Sequence, residues 1–464
     1  SWPSACRRVS PPPKGAGADA MPRKPAPGSS VALCRSGALL AIAAAAGGLS
    51  VGRAGCGSAP ADVLRCPAPP PPRCGYGGQR RPGSLAGDRS AAVAGTVARH
   101  GASASAPARS GKSRQAARGG KIQEGLCAAT IHTASPTFGF SGAERRELLR
   151  RFGDHAAAYA SVAQEGLQFF DVEGLGFVSY RAGDVLGRIN LVFARPVCAR
   201  DDVAALLDRF LAEVPGQMIF SGMDEATARF LKNRGYSATV LGTDFHIPVQ
   251  EFSIAGRRMN HLRRIRNFGA RGLTVREQAW GEVDHDAVRA ISVAWLRTKS
   301  GRAQELELLT RPPVYADEWQ VRKFYVYGPD GAMLGFAFFD PYFSGGDVVG
   351  YTANILRAWP EARPSGLLDY AMVVALEKFR AEGVASLSLG LAVLHGLRHE
   401  PGDCEALAGL LATAYEYGNA IYPFKSLGAH KLRWRAENET LYACTKDVNP
   451  FAAVLFTLQA TNAI

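Results

Sequence analysis

The chain has 464 residues, a formal net charge of +13 and a pI near 9.4. Residues 1–120 hold 17 Lys and Arg but only 3 Asp and Glu, so this quarter carries the positive charge and the rest is nearly neutral. The longest apolar stretch, 38–51, is shorter than the roughly 20 residues of a membrane-spanning helix, which excludes a convincing span. Four scattered cysteines after residue 120 favour neither a disulfide framework nor a zinc site, and they fit a reducing compartment.

The first quarter is predicted to be a disordered, low-complexity basic tail over 1–120. It contains 15 of the 28 prolines but only Trp2 and Tyr76 of the aromatic residues. Such a segment cannot bury enough apolar surface to offset the entropy lost on ordering. We interpret it as a solvated linker. Alternative interpretations of 21–51 are a signal peptide or sequence upstream of a true start.

The elements of 121–255 predict an N-terminal domain of mixed helices and strands. Strands with β-branched and aromatic residues between Gly-containing turns are predicted at 167–172, 176–181, 188–193, 217–220 and 244–249. Helices are predicted at 144–152, at 203–214 after Asp201 or Asp202, and from Asp224 to Gly235.

The elements of 256–464 predict a C-terminal catalytic domain. A basic helix at 256–270 and a helix at 283–297 precede a three-stranded meander at 321–327, 333–339 and 347–353. The remaining predicted elements are helices at 367–382, 405–417 and 429–435, and strands at 385–389 and 441–445. This order is that of an N-acetyltransferase-like (GNAT) fold, and the first domain is consistent with a degenerate second copy. The predicted fold class is therefore α/β (α+β), with tandem GNAT-like domains after the tail.

A GNAT fold raises the possibility of acyl-CoA chemistry. Those enzymes hold pyrophosphate with a loop of the form Arg/Gln-x-x-Gly-x-Gly/Ala at a helix N-terminus. Residues 363–368 supply Arg363 and Gly366, but Leu368 stands where a small residue is needed. An acyl-CoA-dependent N-acyltransferase is therefore the alternative enzyme, and a non-catalytic module that binds RNA or a membrane surface is the third hypothesis.

Other polar residues have ordinary interpretations. His395 and His399 have the i, i+4 spacing of metal ligands, but they lie in a Gly/Pro-flanked loop without the glutamate of a zincin. We expect no metal. Asp340, Asp347 and Asp369 are candidates for paired acids, with helix or turn capping as the default for each.

Four segments, taken in order, resemble the catalytic domain of the lysylphosphatidylglycerol synthase family, in a form without its flippase region. They are 252–256 with the following Leu262-Arg263-Arg264, then 351–369 with Pro364-x-Gly366-x-x-Asp369, then 387–392, and finally 424–442 with Lys431, Trp434 and Tyr442. The resemblance covers roughly 140–446. The family's Phe-Lys-x-Lys-Phe-x-Pro-x-Trp run is reduced here to His430-Lys431-Leu432-Arg433-Trp434.

The resemblance implies transfer of an aminoacyl group from aminoacyl-tRNA to a lipid hydroxyl, with phosphatidylglycerol as the expected acceptor. An aminoacyl ester is already activated, so no cofactor is expected beyond the tRNA co-substrate. Asp369, Lys431 and Tyr351 are the implied catalytic residues, with Asp369 as base or orienting group and the backbone near Tyr351 as oxyanion donor.

Further residues are implied to contact tRNA or lipid. They are Asn354, Arg357, Pro364, Gly366, Lys425, Arg433, Trp434, Arg435, Arg263 and Arg264. Trp434 is better explained as a core residue, whereas Lys425, Arg433 and Arg435 are equally well explained as solvated charges. The implied partners are aminoacyl-tRNA and anionic phospholipid, and the expected location is cytoplasmic, including the inner face of the membrane.

Overall fold

The structure is a computed structural model that describes residues 139–299, 304–308, 310–418 and 422–464. The predicted tail over 1–120 lies outside the described residues.

The first half of the described chain alternates short helices with strands. Its helices are α1 (Gly142–Phe152), α2 (Val203–Glu213) and α3 (Glu225–Lys232). Its strands are β1 (Gln168–Val172), β2 (Gly176–Asp184), β3 (Arg188–Phe193), β4 (Val197–Cys198), β5 (Gln217–Met223) and β6 (Ser237–Pro248).

The second half contains longer strands and helices. Its helices are α4 (Asn260–Gly272), α5 (His285–Arg297), α6 (Leu367–Ala381), α7 (Glu405–Tyr417), α8 (Phe424–Leu432) and α9 (Pro450–Ala460). Its strands are β7 (Thr274–Glu277), β8 (Arg322–Tyr327), β9 (Met333–Ser344), β10 (Asp347–Ala358), β11 (Ser386–Val393) and β12 (Glu437–Thr445).

The strands of the described residues form one mixed sheet. Its order is β1-β2-β3-β5-β12-β6-β11-β10-β9-β8-β7, with β4 paired to β2. Two pairs are parallel, β3 with β5 and β10 with β11, and each is connected by a crossover helix, α2 or α6. The mixed α/β architecture and the GNAT-like order of the second half confirm the predicted fold class.

The sheet continues across the predicted domain boundary at 255. β12, from the end of the chain, inserts between β5 and β6 and is antiparallel to both. The two halves therefore share their central strands. The division at 255 falls in the loop after β6 and stays a prediction.

Apolar side chains cover both faces of the sheet. The main core lies beneath α4 and α6, where α6 alone buries eight residues, including Tyr370 and Phe379. Gly269 of α4 lies directly against the Tyr370 ring, where an added Cβ would lie 2.4 Å from Cγ. The absence of a side chain at Gly269 thus lets the basic helix α4 pack closely on α6.

Local sequence signals explain several boundaries. Asp224 caps α3, since its Oδ1 accepts the Thr227 N–H at 2.9 Å. Gly331, at φ 80°, closes the predicted hairpin between β8 and β9. Two predicted starts were wrong. β6 begins at Ser237 rather than 244. α8 begins at Phe424 rather than 429, because Pro423 fits ahead of a first turn and its carbonyl accepts the Leu427 N–H.

Candidate functional site

Strands β10 and β11 form a parallel pair that separates towards its carboxyl ends. The register covers only 350–352 against 386–388, although β10 continues to Ala358 and β11 to Val393. Both strands become irregular just beyond, at 353–355 and 388–391. Ligands of open α/β sheets bind outside the carboxyl ends of parallel strands. We therefore place the candidate site at this divergence.

A hydrogen-bonded carboxylate–imidazole pair joins the first turn of α6 to α8. Nε2 of His430 lies 2.9 Å from Oδ1 of Asp369, and the two side chains are 37% and 13% exposed. Gly366, at φ 91°, turns the chain into α6, and the helix N-terminus favours the negative charge of Asp369. A histidine oriented in this way can accept or donate a proton at its second nitrogen, Nδ1.

His261 extends this pair into a histidine cluster, which we define as Asp369, His430, His261, Arg433 and Arg435. Burial lowers the pKa of His261, and the positive charge of Arg433 lowers it further, against the opposing effect of Asp369. Nε2 of His261 is buried without a hydrogen-bond partner among the described residues. The cluster therefore combines one carboxylate with two imidazoles and two guanidiniums.

Lys431 fixes the irregular part of β11. It is only 8% exposed, and its Nζ donates to the carbonyl oxygens of Gly390 at 2.7 Å and Leu391 at 3.1 Å. Burial lowers the pKa of Lys431 to about 8, although the nearby Asp244 opposes this. The ammonium group thus binds β11 where this strand separates from β10. Lys431 directly follows His430 in the sequence.

Asp244 is the centre of a buried polar network across β6, β11 and β12. Its Oδ1 accepts from Ser388 Oγ at 3.0 Å, and its Oδ2 lies 3.3 Å from Nε2 of His246, which lies 3.4 Å from Glu439. Burial favours neutral Asp244, but hydrogen bonding and charge from His246, then Lys431, lower its pKa below the ordinary value. Against the effect of burial, Asp244 and Glu439 raise the pKa of His246 to about 10.

Three of the residues predicted from sequence occupy packed or ion-paired positions. Tyr351 is buried and stacks on Phe379 with centroids 4.6 Å apart. Trp434 is buried in the main core, with Phe252 stacked at 6.2 Å. Arg357 is buried and forms an ion pair with Glu305 at 2.6 Å. Packing or ion pairing explains the position of each of these three side chains. None of them belongs to the histidine cluster.

Asn354, Pro364 and Gly366 lie at the ends of the elements that border the divergence. Asn354 occupies the irregularity of β10, where its Oδ1 accepts from Thr310 Oγ1 at 2.9 Å. Its Nδ2 is buried and has no partner among the described residues. Pro364 and Gly366 lie in the loop before α6. Asn354 is the one of the three that presents an unused side-chain donor.

The remaining predicted contacts are basic residues on α4, on α8 and directly after α8. Arg433, Arg435 and Arg264 are exposed. Lys425 pairs with Glu416 at 2.9 Å. Arg263 donates to the carbonyl oxygens of Gly256 at 2.8 Å and Ile254 at 3.2 Å, so it holds the loop before α4. Arg433 and Arg435 are the two that belong to the histidine cluster.

The other candidate motifs have structural roles. Leu368 packs against the main core rather than leaving an open loop. Asp340 forms a buried ion pair with Arg311, and Asp347 is exposed as the first residue of β10. His399 pairs with Asp403 at 3.0 Å.

The described residues have neither a metal-ligand cluster nor a membrane-spanning helix. They contain no group of three or more His, Cys, Asp or Glu side chains placed to hold a metal ion. Within them, no helix combines the length and apolar character that crossing a bilayer requires.

His430, His261, Asp244 and His246 belong to the candidate site in the structure but were not selected from the sequence. The replacement of an aromatic residue by His430 beside Lys431 was the available signal. His261 and Asp244 belong to a helix and a strand whose neighbours become known only with the fold.

Comparison with known proteins identifies relatives of this chain. Residues 146–445 match the family model described as phosphatidylglycerol lysyltransferase, C-terminal. A phosphatidylglycerol lysyltransferase of Bacillus subtilis (strain 168) is 21% identical over 321 residues, which cover 66% of this chain and 35% of that protein. The chain thus spans about a third of the length of this curated relative.

Solved structures share the fold. The structure of L-PGS from Bacillus licheniformis has a TM-score of 0.56 and 17% identity, over 69% of this chain and 96% of that one. The C-terminal domain of a putative lysylphosphatidylglycerol synthetase from Agrobacterium fabrum has a TM-score of 0.55 and 22% identity, over 70% and 98%. The match over 146–445 confirms the family predicted from the sequence motifs: the chain belongs to the phosphatidylglycerol lysyltransferase C-terminal family.

Proposed function

We propose that this chain is an aminoacyltransferase that moves an aminoacyl group from aminoacyl-tRNA to a hydroxyl of phosphatidylglycerol. Family membership over 146–445 supports the reaction class. The observation that carries the proposal is the Asp369–His430 pair, which offers an oriented imidazole where β10 and β11 separate.

The proposed chemistry is an exchange of one ester for another. The tautomer of His430 with its proton on Nε2 donates to Asp369 and leaves Nδ1 free to accept the proton of the lipid hydroxyl. The hydroxyl oxygen then bonds to the aminoacyl carbonyl carbon, and the bond to the tRNA ribose oxygen breaks. The proton returns from Nδ1 to that ribose oxygen, so atoms and charge balance.

Asp369 stabilises the imidazolium while it exists, and such acid–base assistance is worth about 10²–10⁴ in rate. Asn354 Nδ2, buried and unpartnered among the described residues, is a candidate donor to the oxyanion. Because the donor ester is already activated, the reaction needs no additional cofactor. A tRNA donor and a lipid acceptor would meet at the inner face of the membrane, so the location that we propose is a peripheral one on the cytoplasmic side.

Transfer into lipid tests the proposal directly. The full chain is incubated with tRNA charged with a labelled amino acid, beginning with lysine, and with phosphatidylglycerol vesicles. We expect label to enter the organic phase, and RNase treatment of the charged tRNA to abolish the transfer. Label that stays in water-soluble products with every amino acid tested would contradict the lipid acceptor, and turnover of acyl-CoA instead would support the alternative enzyme.

A further inference from the structure

A pocket of about 330 Å³ lies between α4, α6 and the loop 249–255, and none of the five residues of the histidine cluster lines it. Its walls are apolar: Val249, Phe252 and Ile254 from the loop, and Val373 and Leu376 from α6. Pockets that bind small ligands begin at about this volume and combine apolar walls with a few polar groups.

Three arginines line the same pocket. Arg380 donates to the carbonyl oxygens of Val249, at 2.9 Å, and Phe252. Arg263 is likewise engaged with backbone carbonyl oxygens of the loop. Neither forms an ion pair with a carboxylate in the described part of the chain, so both guanidinium charges remain uncompensated.

Arg266 is the most available of the three arginines. Its contact with Glu377 is long, at 3.6 Å, and the two side chains are 43% and 57% exposed. Glu377 is the single carboxylate in the lining, so the lining carries a net charge of about +2. The rim is thus suited to an anion and the walls to a hydrocarbon chain.

The surface around the pocket is basic and partly apolar. Residues 252–276 contain seven arginines and no Asp or Glu, whereas the rest of 121–464 carries a net charge of about −8. Phe268, on α4, is 60% exposed among exposed Arg264 and Arg271. A basic helix that also presents an aromatic side chain is typical of contact with an anionic membrane surface.

We propose that this pocket binds an anionic phospholipid of a membrane surface, with one acyl chain between the apolar walls and the phosphate among Arg263, Arg266 and Arg380. The inference rests on the proposed function only in that both name a lipid. The apolar walls favour lipid over RNA, because RNA phosphate contacts need guanidiniums but no hydrocarbon-lined cavity.

Vesicle sedimentation without tRNA tests the pocket separately from transfer. The full chain is mixed with vesicles of phosphatidylcholine alone or with about one-third phosphatidylglycerol. We expect Arg266→Glu to weaken binding to the anionic vesicles about tenfold, since each basic side chain near such a surface contributes roughly fivefold. Ala255→Trp, at an exposed lining position, should weaken it about fivefold by filling the pocket.

Arg209→Glu is the matched control. Arg209 lies on α2 with similar exposure and a similar single glutamate partner, so the change in net charge is identical. It should weaken binding less than twofold. Equal weakening by the two charge reversals, or no effect of Ala255→Trp, would overturn the pocket. The pocket would also be overturned if Arg266→Glu abolished retention of tRNA in a filter-binding assay but left vesicle binding unchanged.

Failure of this inference and failure of the proposed function give different results. If aminoacyl transfer to detergent-dispersed lipid occurs but vesicle binding is unaffected by the pocket variants, only the pocket inference is overturned. Pocket-dependent vesicle binding without aminoacyl transfer would uphold the pocket and contradict the transferase.

Discussion

The two parallel strand pairs of this sheet have the same connection but different endings. β3 and β5, linked by α2, stay in register over five residue pairs, 189–193 with 217–221. β10 and β11, linked by α6, pair over only three and then separate. The first pair is built of Ile189, Leu191, Phe193, Ile219 and Phe220, all nearly inaccessible.

The second pair ends among polar groups instead. Gly390 at φ 77° and the Lys431 ammonium, which binds the carbonyl oxygens of 390 and 391, hold β11 in its irregular course. α6 begins beside this end with Asp369, which reaches His430. A repeated βαβ unit thus forms a continuous part of the sheet where the strands stay paired, and borders the candidate site where they separate.

Removing the acid–base pair should have the largest effect. His430→Gln and Asp369→Asn should each lower the rate of transfer about 10²–10⁴-fold, because no oriented imidazole would remain to accept the hydroxyl proton. Both side chains are partly exposed, so the free energy of unfolding should change by less than about 1 kcal/mol. Single-turnover transfer and chemical denaturation measure the two quantities.

His399→Gln is the control for that pair of variants. His399 forms a similar contact with Asp403 at 3.0 Å, but in an exposed loop away from the divergence. Its rate should stay within twofold of the original. A comparable loss from His399→Gln, or full activity of His430→Gln, would mean that the divergence is not the site.

The first half of the described chain should respond in the opposite way. Phe210 of α2 is fully buried and makes edge contacts with Phe170, Tyr180 and Phe220. Phe210→Ala should lower the free energy of unfolding by about 3–5 kcal/mol through the cavity it leaves. The transfer rate per folded molecule should change less than twofold.

Phe268→Ala removes a ring of the same kind from an exposed position and should cost less than about 0.5 kcal/mol. Denaturant titrations of the two variants provide the comparison. A marked fall in the rate of correctly folded Phe210→Ala would show that the first half contributes to the chemistry.

Much of this fold was predictable because its signals are local. The hairpin turn at 328–331, the Asp224 cap and the long apolar helix α6 all depend on neighbouring residues. The insertion of β12 between β5 and β6 was not predictable, since it joins residues about 200 positions apart whose own pattern only indicates a strand.

The candidate site was predictable only in part. Asp369 and Lys431 were selected because they match the family's motifs. Their neighbour His430 was not selected, because it departs from one of those motifs. Tyr351 shows the limit of prediction from motifs. Its position is beside the divergence, but its side chain packs in the core, because strand side chains alternate between the two faces of a sheet. Which face of the sheet borders the candidate site depends on where α6 packs, and no local sequence pattern predicts that packing.

Lys431→Met should have a moderate effect that depends on pH. The variant leaves two backbone carbonyl oxygens of β11 without their donor, which should cost about 1–2 kcal/mol at pH 7. The pKa of Lys431 is lowered to about 8, so the folded state loses this proton before the unfolded state does. Stability from this group therefore rises between about pH 8 and its ordinary pKa, and the cost of the variant should grow over that range.

Lys425→Met, on the same helix but 40% exposed, should cost less than about 0.5 kcal/mol at pH 7. Denaturation at several pH values separates the two variants. A cost of Lys431→Met that shrinks as pH rises would contradict a buried ammonium with a lowered pKa.

The smallest effect should be electrostatic, within the histidine cluster. Arg433 is exposed, and after burial its charge is the main cause of the lowered pKa of His261. Arg433→Ala should therefore raise the pKa of His261 towards its ordinary value, as followed by NMR titration of the imidazole. Arg398→Ala, which removes a half-exposed guanidinium paired with Glu400, should leave that pKa unchanged. If Arg433→Ala also leaves the pKa of His261 unchanged, the charges at the end of α8 do not lie close to α4. The histidine cluster, which distinguishes this end of the sheet from the β3–β5 end, is then not formed.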